Sequence, residues 1–271
     1  MNHLQRLSSL YGSREGRAIY MLVMEQRFGL SATQVLLGKD RELSSDNLHE
    51  LDLITERLLQ GEPVQYILGK SEFHGHMFHI EPGVLIPRPE TSELVDHVIE
   101  DAHPASRILD IGTGSGCIGI TLALCGHEVT AMDISSKALS IAQDNAARLK
   151  ADVRFIQEDI LHPGNRQETW DIIVSNPPYI RMRESDSMEH TVLDYEPHIA
   201  LFVPDNDPLL FYRAIGDYAM KHLDSQGLLW FEINRELSEE TCLLLGNQGF
   251  RNVQAFRDSY KNYRFVKATR P

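Results

Sequence analysis

The residues best suited to chemistry in this chain are Asn-Pro-Pro-Tyr at positions 176–179. An amide or aromatic NH2 nitrogen is a poor nucleophile because its lone pair is delocalised, so a site that modifies it must hold the group through both of its donors. The Asn176 side-chain oxygen and the Pro177 carbonyl can accept one hydrogen bond each, and Tyr179 can stack on a planar acceptor. Asn176, Pro177 and Tyr179 are therefore the predicted catalytic residues. Pro178 stiffens the turn and is predicted to contact the substrate with them.

A glycine-rich turn provides a second candidate site. The apolar run before Asp110 indicates a buried strand, and the turn Gly-Thr-Gly-Ser-Gly follows it at 112–116. Glycines at the carboxyl end of a strand allow a tight turn and the close approach of a ligand, which favours a nucleotide-type cofactor. The predicted cofactor-binding residues of this turn are Asp110, Gly112, Thr113, Gly114, Ser115 and Gly116.

The spacing of the glycines alone leaves two kinds of cofactor open. Residues 114–119 also fit the Gly-x-Gly-x-x-Gly pattern of dinucleotide-binding proteins. Asp110 would oppose a pyrophosphate, but it suits the cationic amino-acid end of S-adenosylmethionine. Asp133 ends the next predicted strand, where an acid can accept hydrogen bonds from the ribose hydroxyls of either cofactor. The acid at position 110 therefore favours S-adenosylmethionine, with S-adenosylhomocysteine as the product.

Two residues after the third predicted strand complete the predicted cofactor site. Asp159 is placed to bond the exocyclic amine of an adenine and Ile160 to pack on the ring, although an acid that caps the next turn is an equally good interpretation of Asp159. Because a sulfonium methyl group is already activated, the chemistry needs positioning and electrostatics, and no metal ion is expected.

The elements that must position these residues form two patterns. Up to about residue 70 the chain has helical signals and no convincing strand, including a capping-box spacing at 31–34 and a helix start at 44–46. Residues 64–86 predict a short hairpin. From about residue 90, short β-rich runs alternate with helical ones, which is typical of a parallel sheet covered by helices on both faces. The predicted strands are 106–110, 128–132, 153–157, 172–175 and 227–233, then an antiparallel pair at 251–256 and 263–268, with helices near 116–125, 135–149 and 235–246 and a loop at 183–190.

The composition is that of a folded globular protein. Hydrophobic residues make up 42% of the 271 residues, and 39 Asp and Glu against 26 Lys and Arg leave a formal net charge of -13. That charge repels a phosphate backbone, so stable nucleic-acid binding is not expected. The cysteines at 117, 125 and 242 lack disulfide or zinc-site spacing, and neither a signal peptide nor a membrane span is apparent. We therefore expect a cytoplasmic monomer without membrane association.

Several motifs together resemble the release factor glutamine methyltransferases of the HemK/PrmC type. Asn-Pro-Pro-Tyr occurs in several amino-methyltransferases, whereas Ile-Pro-Arg-Pro-Glu-Thr at 86–91 is much more distinctive of this family. The similarity covers most of the chain from residue 61 onward. The matching segments are 61–69, 72–75, 84–91, 110–116, 176–180, 195–197 and 200–201.

The resemblance implies a class I, Rossmann-like α/β methyltransferase with about seven strands behind a small N-terminal helical domain. It implies methylation of N5 of the glutamine in the Gly-Gly-Gln loop of peptide chain release factors, which are then the protein partners. By position, residues 112–116, Asp133, Ile160 and Asn176 would line the cofactor site, and residues 176–179 would hold the glutamine. Arg88 and Glu90 would shape the pocket mouth as substrate-binding residues, with an internal salt bridge as an equally good account of both.

Three domain assignments and two rival functions accompany this interpretation. Residues 1–75 are predicted to form a helical substrate-recognition domain, 76–89 a hairpin and linker, and 90–271 the methyltransferase domain. The first rival is methylation of an exocyclic amine of DNA or RNA at the same site. That function requires a basic face, which the net charge of -13 does not indicate. The second is a non-catalytic partner-binding protein, against which the intact acids and Asn176 count.

Overall fold

The computed structural model describes residues 2–271, so Met1 of the predicted first domain lies outside the described residues. The chain divides into two compact units, the first formed by residues up to Lys70 together with Glu189–Tyr195, and the second by Ser71–Met188 and Glu196–Pro271. The role of the first unit in substrate recognition stays a prediction.

The first unit consists of helices packed on one apolar cluster. Asn2 caps its longest helix through a capping box, and Gly12 interrupts that helix with φ 81°. The predicted capping box at 31–34 is confirmed, because Ser31 accepts from the Gln34 main-chain N–H. The core of the unit is Leu7, Tyr20, Val23, Met24, Leu51, Ile54 and Leu58. The helices are α1 His3–Phe28, α2 Ala32–Leu36, α3 Ser45–Leu59, α4 Val64–Leu68 and, after an excursion through the second unit, α8 His190–Tyr195, with a 3-10 turn at Lys39–Glu42.

The second unit is built on a mixed seven-stranded sheet, which confirms the predicted fold class. Its strands are β3 Arg107–Ile111, β4 Glu128–Asp133, β5 Val153–Gln157, β6 Trp170–Ser175, β9 Leu223–Glu232, β10 Arg251–Arg257 and β11 Tyr263–Thr269. Their spatial order is β10, β11, β9, β6, β3, β4 and β5. The last five strands in this order are parallel neighbours, and β11 runs antiparallel to both β9 and β10.

Helices cover both faces of this sheet because its central strands are apolar on both sides. Leu109 and Ile111 face one core cluster, which also contains Tyr212, Ile215 and Leu245 from two helices. The remaining elements of this unit are α5 Pro89–Asp101, α6 Cys117–Leu124, α7 Ser136–Leu149, α9 His198–Leu201, α10 Leu210–His222 and α11 Ser238–Asn247, the hairpin β1 Lys70–Phe73 and β2 His76–His79, the short pair β7 Ile180–Arg181 and β8 Phe202–Val203, and 3-10 turns at Met182–Ser187 and Arg235–Leu237.

Three local predictions differ from the structure. The loop predicted at 183–190 is helical over most of its length, and the first residues of the predicted hairpin form α4 instead. Helix α5 lies where no element was predicted. Pro89 occupies the first turn of α5, where its missing N–H costs no hydrogen bond, and the stripe Leu94, Val95 and Val98 is buried.

Neither a membrane-crossing helix nor a metal cluster is evident in the part of the chain that the structure describes. No helix within residues 2–271 is both long enough and apolar enough to span a bilayer. In the same range no three His, Cys, Asp or Glu side chains gather as a metal site would require. The cysteines at 117, 125 and 242 carry free thiols.

Candidate active site

The carboxyl ends of the central parallel strands lie level with one another. Ile111 at the end of β3 pairs in register with Met132 of β4 and with Ser175 of β6. The residues that follow these three positions therefore emerge at the same edge of the sheet, although they are far apart in sequence. They surround a cavity of about 280 Å³, near the small end of the range of roughly 300–1,000 Å³ for small-molecule sites. The predicted site residues on its wall are Gly112, Gly114, Asp133, Asp159, Ile160, Asn176, Pro177 and Pro178.

The glycines of the 112–116 turn have two different roles. All three adopt the left-handed region, with φ 75° at Gly112, 56° at Gly114 and 84° at Gly116. A Cβ at Gly112 or Gly114 would enter open space, and both residues line the cavity. A Cβ at Gly116 would lie 2.6 Å from Ile120 Cδ1, so this glycine lets the turn pack closely on its helix. The first two glycines thus keep the cavity open.

Asp110 lies beneath the turn and is fully buried. Its Oδ2 accepts from the Thr113 hydroxyl at 2.6 Å and from the Gly119 main-chain N–H at 3.0 Å. Burial raises the pKa of the Asp110 carboxyl to about 7, against these two hydrogen bonds. Within the described residues its Oδ1 has no hydrogen-bond partner, and the side chain is absent from the cavity wall. Asp110 and Thr113 therefore hold the turn from behind, and Ser115 is also buried and absent from the cavity wall.

Asp133, the last residue of β4, is hydrogen-bonded to the glycine turn. Its Oδ2 accepts from the Gly114 main-chain N–H and its Oδ1 from that of Ser135, both at 2.9 Å. Each carboxylate oxygen has further lone pairs, so both can still accept from a ligand. Burial raises the pKa of Asp133, while the main-chain hydrogen bonds act in the opposite direction. Asp133 with its anchored carboxylate lies on the cavity wall.

Asp159 caps its own turn, which was one of the two interpretations of its sequence, and its bonding to an adenine stays a prediction. It accepts from the Leu161 main-chain N–H and bonds His162 Nδ1, each at 2.9 Å, and the hydrogen bond to His162 is the main cause of its lowered pKa. It therefore caps its own turn and also lines the cavity beside Ile160.

Asn176 has a defined orientation in the cavity wall. Its Nδ2 donates to Thr91 Oγ1 at 3.2 Å, which leaves the carbonyl Oδ1 available. Tyr179 does not reach the wall, because its hydroxyl donates to Glu232 Oε1 at 3.0 Å behind it. Burial raises the pKa of the Tyr179 hydroxyl, and the neighbouring Glu232 adds to this effect.

Arg88 and Glu90 also lie off the cavity wall. The Arg88 guanidinium pairs with the buried carboxylate of Glu196, whose other oxygen accepts from the Ile86 main-chain N–H at 3.1 Å. For Arg88 the internal salt bridge is therefore present, and it fixes the segment that precedes α5.

Sequence comparison identifies relatives over nearly the whole chain. A protein named release factor glutamine methyltransferase from Flavobacterium psychrophilum is 42% identical, with 97% of this chain and 95% of that protein covered. One of the same name from Bacteroides thetaiotaomicron is 44% identical, with coverage of 98% and 97%. The family profile of the PrmC N-terminal domain matches residues 4–69, and that of the methyltransferase small domain matches residues 89–194. The chain belongs to the release factor glutamine methyltransferase family.

Solved structures agree with this family at the level of the fold. A methyltransferase from Pyrococcus furiosus aligns with a TM-score of 0.54 at 17% identity, covering 79% of this chain and 96% of that one. A Thermus thermophilus 16S rRNA N2 G1207 methyltransferase aligns with a TM-score of 0.55 at 18% identity, covering 74% and 50%. Both share the class I methyltransferase sheet with this member of the release factor glutamine methyltransferase family.

Sequence reasoning missed several residues of the site in this release factor glutamine methyltransferase family member. Thr91 is hydrogen-bonded to Asn176, and Glu232 to Tyr179. Neither Thr91 nor Glu232 was assigned a role from the sequence. Glu232 had a signal that could have found it, because it ends a buried apolar strand as Asp133 does. Five further cavity residues were not among the predicted site residues, namely Val84, Ile134, Glu158, Ile199 and Phe211.

Proposed function

We propose that this chain transfers the methyl group of S-adenosylmethionine to the side-chain N5 of the glutamine in the Gly-Gly-Gln loop of a peptide chain release factor. The observation that carries the proposal is the meeting of Asn176 and Pro177 with Gly112, Gly114 and Asp133 on the wall of one cavity. The names of the relatives that are 42% and 44% identical over nearly the whole chain support the choice of substrate.

The cavity fits the cofactor in two independent respects. The space that a Cβ would enter at Gly112 and Gly114 is open, so a ligand can lie directly against the backbone of the turn. The Asp133 carboxylate is held by two main-chain N–H groups and faces that space, which suits a pair of ribose hydroxyls. We infer that these residues bind S-adenosylmethionine, with Asp159 and Ile160 at the adenine and Asp110, Thr113, Ser115 and Gly116 maintaining the turn.

The chain's own contribution to the reaction is to hold the acceptor nitrogen. The bound cofactor supplies a methyl group already activated on a sulfonium. Asn176 Oδ1 and the Pro177 carbonyl accept one hydrogen bond each from the glutamine NH2, which favours the positive charge that develops on nitrogen and aims it for in-line displacement. The N–C bond forms as the S–C bond breaks. The electron pair of the broken S–C bond stays on sulfur, and one proton is released from nitrogen.

The wider assignments follow from the same proposal. We infer that the release factor is the protein partner and that the helical unit at the N-terminus takes part in recognising it. The net charge of -13 supports a protein rather than a nucleic-acid substrate. The three free thiols favour the reducing cytoplasm as the location. A monomer without metal suffices, because every proposed contact comes from this one chain.

The decisive experiment uses methyl-labelled S-adenosylmethionine, a recombinant release factor and a version in which the glutamine of the Gly-Gly-Gln loop is replaced by alanine. We expect label in the unaltered release factor and none in the alanine version. Total RNA and DNA in parallel reactions serve as the competing acceptors. Equal labelling of both release factors, or label in nucleic acid alone, would disprove the proposed function.

A further inference from the structure

Glu232 occupies an unusual position behind the proposed acceptor site. It is the last residue of β9, the residue is only 1% exposed, and it does not line the cavity. Its Oε2 accepts from the Thr91 hydroxyl at 2.7 Å and its Oε1 from the Tyr179 hydroxyl at 3.0 Å. A carboxylate can only accept hydrogen bonds, so both hydroxyls must point their protons at it.

The direction of these bonds determines what Thr91 can offer to Asn176. A hydroxyl carries a single proton, and that of Thr91 is used by Glu232. Toward Asn176 the Thr91 oxygen can therefore act only as an acceptor. It receives Asn176 Nδ2 at 3.2 Å, so the NH2 end of the amide faces Thr91 and the Oδ1 end faces away from it.

We propose that Glu232 is a positioning residue that, acting through Thr91, fixes the side-chain amide of Asn176 with its oxygen presented to the acceptor NH2. This inference rests on the proposed function, because it assigns Asn176 Oδ1 to the substrate. A flipped amide would present its NH2 to the substrate NH2, donor against donor, and could not hold it.

The surroundings of Glu232 act on its pKa in both directions. Burial raises its pKa, and the positive charge of Arg264 on β11, together with the two hydroxyl donors, favours the ionised form. Glu90 on α5 acts against ionisation as a like charge. Arg264 is itself held by the buried Asp258, which accepts from its Nε at 3.2 Å.

The first test compares two substitutions at Thr91. Thr91→Ser keeps the hydroxyl, whereas the nearly isosteric Thr91→Val removes it. We expect Thr91→Ser to retain kcat within about threefold, and Thr91→Val to lose at least about tenfold in kcat with little change in cofactor affinity, because the bond acts in the transition state. In an Asn176→Ala background Thr91→Val should cause no further loss, whereas a merely structural role of Thr91 would still reduce turnover there.

The second test reverses the polarity of the chain of hydrogen bonds. Asn176→Asp removes the donor toward Thr91, so two acceptors face each other and kcat should fall. Adding Glu232→Gln supplies an NH2 that donates to Thr91, whose hydroxyl proton then turns to the carboxylate at 176. The double variant should therefore be at least about tenfold faster than Asn176→Asp alone. Neither substitution alone is expected to help.

The outcomes separate the inference from the function on which it rests. Thermal unfolding and far-ultraviolet circular dichroism of each variant identify any that fail to fold, and the two Thr91 variants decide the matter if Glu232→Gln is among them. Labelling of the release factor by the unaltered protein, combined with equal kcat for Thr91→Val and Thr91→Ser, overturns the inference alone. If the unaltered protein does not label the release factor, both the proposed function and the inference are overturned.

Discussion

Asp133 Oδ2 accepts a hydrogen bond from the main-chain N–H of Gly114 at 2.9 Å. The contact joins the turn after β3 to the end of β4, so the acid of one strand supports the glycine turn of its neighbour. Because the second carboxylate oxygen is held by Ser135, the carboxylate is fixed before any ligand arrives. A preorganised acid of this kind binds a diol without having to be ordered first.

Replacing Asp133 should weaken cofactor binding. We expect Asp133→Ala to raise the Kd for S-adenosylmethionine at least about tenfold, equivalent to roughly 1.4 kcal/mol of binding free energy, because the ribose loses its acceptor and the turn loses its support. Isothermal titration calorimetry measures the Kd directly. Asp152→Ala, which removes an exposed acid outside the cavity, is the matched control. Equal affinities of the two variants would contradict the assignment of Asp133.

Gly112→Ala should separate backbone strain from loss of the ligand space. An L-residue at φ 75° costs about 1–2 kcal/mol of stability, and the new methyl group also enters the cavity. Gly126→Ala imposes a comparable strain at φ 93°, also with open space around its Cβ, in a turn away from the cavity. We expect similar losses of unfolding free energy in both variants, but weaker S-adenosylmethionine binding only in Gly112→Ala. Denaturant titration and calorimetry give the two quantities. Weakened binding in both would indicate that strain, not occupied space, is responsible.

Asn176→Ala should reduce turnover more than it reduces cofactor binding. Removing one oriented acceptor costs on the order of 3 kcal/mol in comparable sites, so kcat on the release factor should fall by at least an order of magnitude. The Kd for S-adenosylmethionine should change much less, since the cavity has several other contacts. Single-turnover labelling together with calorimetry makes the comparison. An unchanged rate would mean that Asn176 does not hold the acceptor.

The stability of the protein should depend on pH through Asp110. Its pKa is raised by burial to about 7, against an ordinary value of 3.8, so between about pH 4 and 7 the folded protein binds more protons than the unfolded chain. The stability due to this group is greatest below pH 4 and is lost as the pH rises to about 7. Asp110→Asn removes the titration and leaves an oxygen that can accept from Thr113 and Gly119.

Denaturant titrations of both proteins at pH 5 and pH 8 test this prediction. The unfolding free energy of the unaltered protein minus that of Asp110→Asn should fall by more than about 1 kcal/mol between the two pH values, since one pKa unit corresponds to about 1.4 kcal/mol. A difference that is the same at both pH values would show that the carboxyl titrates normally.

Much of the fold was predictable because it depends on local pattern. The five parallel strands, the terminal antiparallel pair and the helices α6, α7 and α11 follow from apolar runs and periodicity, and all seven strands were located. Helix α5 was not predicted, although its Pro89 lies in the first turn, where a proline is compatible with a helix. Residues 183–190 were predicted to form a loop because they lack apolar periodicity, yet short helices form there.

The sequence by itself determined which residues would reach the cavity wall from the ends of strands. The glycine turn, Asp133 and Asn176 each directly follow or end a parallel strand, and parallel strands in one sheet share an edge. Only the tertiary structure decided which side chains stand behind them. Thr91 and Asn176 are 85 positions apart, and Thr91 and Glu232 are 141 apart. No local pattern specifies such contacts, because they exist only once helix α5 has packed beside β9. The same packing placed Asp110 and Tyr179 behind the cavity wall, since a side chain's direction depends on its neighbours as well as on its position in a motif.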